Sequence, residues 1–147
     1  DHRDLHRVDR RQRQMCIRDS YRKVPDLTCT WTGKNLRGVF EVDHIIPFNL
    51  ARCNDLWNLV PAAKDVNRQK SERLVSCHTL ERSRERIYAC WQLLRESFPN
   101  RFESEATRAL IRSSSFSPDW KEKAFYGLEE RVETLAIMRG VPRWDAA

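Results

Sequence analysis

The sequence predicts an α+β fold: a small strand–loop–strand–helix core followed by a helical C-terminal region. Three observations carry this. Residues 39–43 alternate as a strand does and end on an Asp-His pair; the pieces NDLWNLVP and AAKDVNRQKSERL follow in order; and apolar side chains recur at helical spacing through residues 80–98 and 125–135. A chain of 147 residues suffices for one ordinary domain with a modest core and is short for two.

Residues 1–23 hold few apolar side chains and no sustained stripe, as a disordered or artefactual segment would. A basic arm that tracks a nucleic-acid backbone is the competing reading of this tail. From Val24 the chain becomes organised, with turns at Gly33 and Gly38 ahead of the first strand. Strand alternation turns Phe40 and Val42 to one face and Glu41 and Asp43 to the other. Pro47 forbids a simple continuation of the ladder, and the loop after it permits the chain to bend. A second apolar piece, 56–60, is expected to stop at Pro61. The helix after it, 62–74, turns Val66 and Leu74 inward.

Leu80, Ile87, Trp91, Leu94 and Phe98 form a packing stripe that ends at Pro99, and a weaker pattern continues through 103–111. The last helix is expected to open with Ser117 as cap and Pro118 in its first turn. It carries Phe125, Leu128, Val132 and Leu135, and stops at Gly140. This region could pack on the core, pair with a second copy as a homodimer, or contact a missing N-terminal domain, and the sequence does not choose.

The net charge of +6 invites a nucleic-acid partner, since clustered Lys and Arg displace counterions from phosphates. Residues 1–24 hold eight basic and four acidic side chains; removing them from totals of 27 and 21 leaves 19 against 17, so the excess sits mostly in the tail. Five irregularly spaced cysteines without a C-x-x-C pair argue against a disulfide framework and a regular zinc knuckle. No apolar run approaches the roughly 20 residues that span a bilayer, and the first residues are charged where a signal peptide turns apolar. The expectation is a soluble, cytoplasmic protein with no membrane partner.

The pieces VDHIIP, DLWNLVP and DVNRQKSERL together resemble the three-part signature of the HNH endonucleases, over about residues 27–74. The likeness extends to a bacterial subgroup written DH…WNLVP…NxxKS and to the HNH domain of RNA-guided effector nucleases. It implies a ββα-metal core with a short β-hairpin at 24–75, a helical extension at 76–147 packed upon it, and a hydrolase acting on DNA, with RNA also possible. Many relatives pin the first hairpin with paired C-x-x-C knuckles on zinc. Here Cys29 is followed by Trp31 and Thr32, so no structural zinc is expected, and Trp31, Leu36 and Phe40 should pack the hairpin instead. Only an irregular set, Cys29, Cys53, Cys77 and His78, could supply four soft ligands.

Hydrolysing a phosphodiester needs an activated water, a counter-charge at the phosphate and a scaffold that aligns them. A hard cation such as Mg²⁺ (or Mn²⁺) takes oxygen ligands, few of them from protein, and Asp43 with the amide oxygen of Asn67 fits that demand. The resemblance implies the same for Asn67, which stands where many relatives carry a ligating His. His44, an imidazole able to accept a proton near neutral pH, is the expected general base. The resemblance makes Asn58 the residue that holds the loop and His44 in place, by bonding a backbone group or the imidazole. Lys70 is expected to neutralise phosphate charge in catalysis, and with Arg68, Lys34 and Arg52 to bind the nucleic acid. Two other readings compete: a catalytically inactive nucleic-acid-binding domain, and a helical interaction protein carrying a chance motif.

Overall fold

The computed structural model describes residues 15–113 and 115–147. Helix α1 (15–22) is followed by a turn segment closed by the Thr28–Asn35 bridge, then strand β1 (Glu41–His44) and the short helix α2 (Phe48–Ala51). A 3₁₀ turn over Leu56–Asn58 leads into β2 (Leu59–Ala62), and α3 (Lys64–Lys70) comes next. Beyond it lie β3 (Leu74–Val75), α4 (Cys77–Arg82), α5 (Arg84–Ser97), α6 (Pro99–Ala106), a π-helical turn at Thr107–Ile111, α7 (Trp120–Arg139) and β4 (Arg143–Trp144). The described residues are therefore mixed α+β, predominantly helical with two small sheets.

β1 and β2 pair antiparallel, with Glu41 opposite Ala62 and His44 opposite Leu59. The second strand is displaced from its expected place, because the apolar piece first coils through a 3₁₀ turn and then runs through Pro61 instead of stopping there. Pro61 is tolerated because β2 pairs with β1 alone, so its missing N–H costs no ladder bond on the outer side. Its carbonyl accepts from the backbone N–H and hydroxyl of Thr30, at 3.0 and 2.8 Å. That pair ties the 28–35 turn to the sheet.

The helix expected over 62–74 ends at Lys70. Ser71 takes a left-handed φ of 52°, and Leu74–Val75 leaves as a strand that pairs in parallel with Arg143–Trp144. Leu74 is buried as expected, but from a strand. The 80–98 stripe breaks at Ser83 into α4 and α5, and the inward residues Leu80, Ile87, Trp91 and Leu94 are all buried. At α7 the cap position falls on Asp119, while Ser117 contributes its carbonyl to the Trp120 N–H in the preceding turn. Gly140, with φ 60°, ends that helix as its sequence position requires.

One buried apolar cluster runs from Ile17 to Trp144. The helical extension docks through Trp91, whose indole donates to the Trp57 carbonyl at 2.8 Å. Residues 1–14 of the basic tail lie outside the described residues. The rest of the segment is not disordered: Ile17 and Tyr21 are buried one helical turn apart on α1, and the Tyr21 hydroxyl donates to Leu59 O at 2.6 Å. Two large side chains at i and i+4 are enough to anchor a two-turn helix, and a stretch so rich in charge hides so short a stripe. Among the described residues no helix is long and apolar enough to cross a membrane.

Candidate active site

The site is built where β1 meets α3. Alternation along β1 points Glu41 and Asp43 the same way, and on α3 Asn67 and Lys70 lie three residues apart on one face. Two cross-links result: Asn67 Nδ2 donates to Glu41 Oε2 at 3.3 Å, and the Lys70 ammonium meets Asp43, 3.2 Å from Oδ2 and 3.4 Å from Oδ1. Asp43 and Asn67, the expected metal ligands, are thus presented from facing elements.

Asp43 is 7% exposed, and its Oδ2 also accepts from the Trp31 indole at 2.9 Å. Trp31, Leu36 and Phe40 are all buried, as hairpin packing requires. Cys29 is buried beside them, its sulfur 3.5 Å from the Ala63 N–H.

Lys70 departs from the expectation of a residue facing phosphate. It is fully buried, and its ammonium donates to Asp43 and to the His44 carbonyl at 2.8 Å. It also lies 5.7 Å from the Trp31 ring centroid. An amine spent on internal acceptors has little left for a surface phosphate; what it does instead is tie α3 to the end of β1 at two successive residues. Burial pushes its pKa below the ordinary lysine value, and the Asp43 carboxylate opposes that shift.

His44 is part-buried at the end of β1, with Nε2 2.8 Å from Asn54 Oδ1. An amide oxygen can only accept, so Nε2 is the donor in this contact and Nδ1 is the ring nitrogen turned away from Asn54. The Phe48 ring stands 5.7 Å from the imidazole, and the Arg52 guanidinium 5.7 Å from the Phe48 ring. This string leads outward from the histidine.

Asn58, fully buried, holds the loop rather than the imidazole. Its Oδ1 accepts from Ile46 N at 2.8 Å, and its Nδ2 donates to Ile46 O at 3.1 Å and Cys53 O at 3.0 Å. The amide thereby fixes both ends of the 46–53 crossover that begins two residues after His44. Arg68, Lys34 and Arg52 are exposed, on α3, in the 28–35 turn and after α2 respectively.

Asn54, Glu41 and the Trp31 indole are site residues that the motif did not single out. Asn54 carries no signal beyond standing in the loop between two motif pieces. Glu41 was marked by alternation with Asp43, and Trp31 read as packing alone. The two expected ligands would offer only oxygen donors, a carboxylate and an amide oxygen, the kind a hard cation takes, and among the described residues no group of three or more His, Cys, Asp or Glu side chains is gathered to hold a metal ion.

Residues 29–76 match the family model described as HNH endonuclease. Searches of curated proteins and of solved structures return no match. The matched stretch contains β1, β2, α3 and every side chain of the β1–α3 cross-links. Over residues 29–76, and there alone, the chain is similar to the HNH endonucleases.

Proposed function

We propose that this protein is a metal-dependent endonuclease that hydrolyses DNA phosphodiester bonds, with β1, β2 and α3 as a ββα-metal core. The observation that carries the reading is the convergence at β1 and α3: Asp43 on the strand and Asn67 on the helix belong to adjoining cross-links between the two elements, Asp43 with Lys70 and Asn67 with Glu41, and His44 ends the strand with Nε2 held by Asn54. Asp43 and Asn67 would hold Mg²⁺ or Mn²⁺, which when bound supplies positive charge to the scissile phosphate and the leaving oxygen.

His44 Nδ1 takes a proton from the attacking water as its oxygen bonds to phosphorus; the P–O bond to the leaving sugar oxygen then breaks. Asn54 holds the imidazole in the tautomer that this transfer needs. Lys70 acts from inside, fixing the Asp43 carboxylate and the His44 backbone together. Asn58 keeps the crossover rigid, and Arg68, Lys34 and Arg52 offer charge to the flanking phosphates.

Supercoiled plasmid incubated with the protein in Mg²⁺, in Mn²⁺ and in EDTA tests this. Nicking should require the metal, and His44→Ala should slow it roughly 100- to 10,000-fold while gel-shift binding survives. Asn54→Leu should lose about 10- to 100-fold. A His44→Ala protein that cuts as the wild type does refutes the assignment. Binding without cleavage in any metal would favour a silent nucleic-acid-binding domain, and neither signal an interaction protein.

A further inference from the structure

We propose that Glu41 is a positioning residue for Asn67: its carboxylate selects which end of the Asn67 amide is offered to a metal ion. The inference rests on the reading of Asn67 as a ligand and adds a residue to that machinery.

An asparagine side chain ends in an oxygen and a nitrogen of nearly equal size, and rotation about its last bond exchanges them. Only the oxygen can bind a hard cation; the amino end presents hydrogens to it and repels it. A ligand of this type is useful only if something chooses between the two orientations. A carboxylate does so, because it accepts hydrogen bonds and donates none. Glu41 Oε2 lies 3.3 Å from Asn67 Nδ2, so the amino end is turned toward Glu41 and Oδ1, on the opposite branch of the planar amide, is turned away from it.

The placement follows from secondary structure. Glu41 and Asp43 are two apart on β1, and Asn67 and Lys70 three apart on α3. The strand therefore meets the helix in two rungs, Glu41 with Asn67 and Asp43 with Lys70. In the second rung the cationic group of Lys70 orients the Asp43 carboxylate; in the first, the Glu41 carboxylate orients an amide. Both expected ligands are set by a partner on the opposing element. Glu41 is only half-buried, which makes it replaceable without opening the core.

The test is a double-mutant cycle on Mn²⁺ affinity, read by electron paramagnetic resonance of free Mn²⁺ and needing no cleavage. Glu41→Gln can donate as well as accept, so it no longer selects an orientation, and Mn²⁺ binding should weaken roughly 10- to 100-fold. In an Asn67→Asp background the ligand has two equivalent oxygens and nothing to select. There Glu41→Gln should leave Mn²⁺ affinity unchanged or raise it by removing a neighbouring negative charge.

Unchanged affinity on Glu41→Gln in the natural background overturns the inference. So does an equal loss in both backgrounds, which would mean that Glu41 binds the ion itself or acts through its charge. Melting temperatures in EDTA should match the wild type for both Glu41 forms, separating orientation from folding. The underlying reading fails by a different result, a wild-type protein that takes up no Mn²⁺ or a His44→Ala variant that still cuts.

Discussion

At Lys70, four methylenes and an ammonium are enclosed where lysine is seldom found, and the cost of that burial is met by three acceptor atoms: both oxygens of Asp43 and the His44 carbonyl. Such a pair contributes little net stability over an apolar replacement of both members, but removing one member leaves the other buried and uncompensated. Lys70→Met should therefore destabilise the metal-free protein by about 3–5 kcal/mol. For a domain of this size that corresponds to a melting temperature lower by roughly 6–20 °C. Because Asp43 then lacks its internal counter-ion, Mn²⁺ should restore more stability to the variant than it adds to the wild type. Calorimetry in EDTA and in Mn²⁺ measures both quantities. A variant melting within about 2 °C of the wild type in EDTA would mean the ammonium does not hold the carboxylate.

Among the elements, those fixed by local pattern were legible in the sequence. Alternation placed Glu41 and Asp43 on one face, the stripe through Ile87, Trp91 and Leu94 gave the buried side of α5, and Gly140 marked the end of α7. What depends on distant partners was not. Leu74–Val75 becomes a strand only because Arg143–Trp144 returns beside it, and Pro61 stays in β2 because among the described residues no third strand asks for its N–H. Lys70 read as a surface cation because nothing local says that Asp43 and Trp31 enclose it. Gly127 belongs with these. In mid-helix it reads as a weak point, since Ala there ordinarily gains about 1 kcal/mol. Here a Cβ would sit 2.1 Å from the Leu110 carbonyl oxygen, in the π-helical turn against which α7 packs. Backbone has to move, at a cost of roughly 1–3 kcal/mol that outweighs the helical gain. Gly127→Ala should thus lower the midpoint of urea unfolding, and a raised midpoint would show that the turn yields freely.

Over the whole molecule, buried titratable groups set how stability depends on pH: Tyr21 of α1 beside Cys90 of α5, and Cys53 at the end of the 46–53 crossover near Asp55. Burial pushes the Cys90 thiol from 9.0 up to about 11, and that of Cys53 likewise to about 11; it also raises the Tyr21 phenol above its usual value. All three shifts favour the protonated form in the folded state. Between about pH 9 and pH 11 the unfolded chain therefore releases protons that the folded chain keeps, and folding stability falls as pH rises. Below pH 9 both states hold the thiol protons and the contribution is fully present. Lys70 acts in the opposite sense, because its lowered pKa lets the folded state shed a proton before the unfolded state does. Two thiols and a phenol outweigh one ammonium, so the net slope is negative. The fully buried Cys90 thiol accounts for up to about 1.4 kcal/mol per pH unit within its window, and the partly exposed Cys53 for less. Urea unfolding at pH 8, 9, 10 and 11 should show stability level to pH 9 and declining beyond it, and Cys90→Ala should remove one proton's share of the decline. A variant whose slope matches the wild type would mean that burial does not hold the Cys90 thiol protonated.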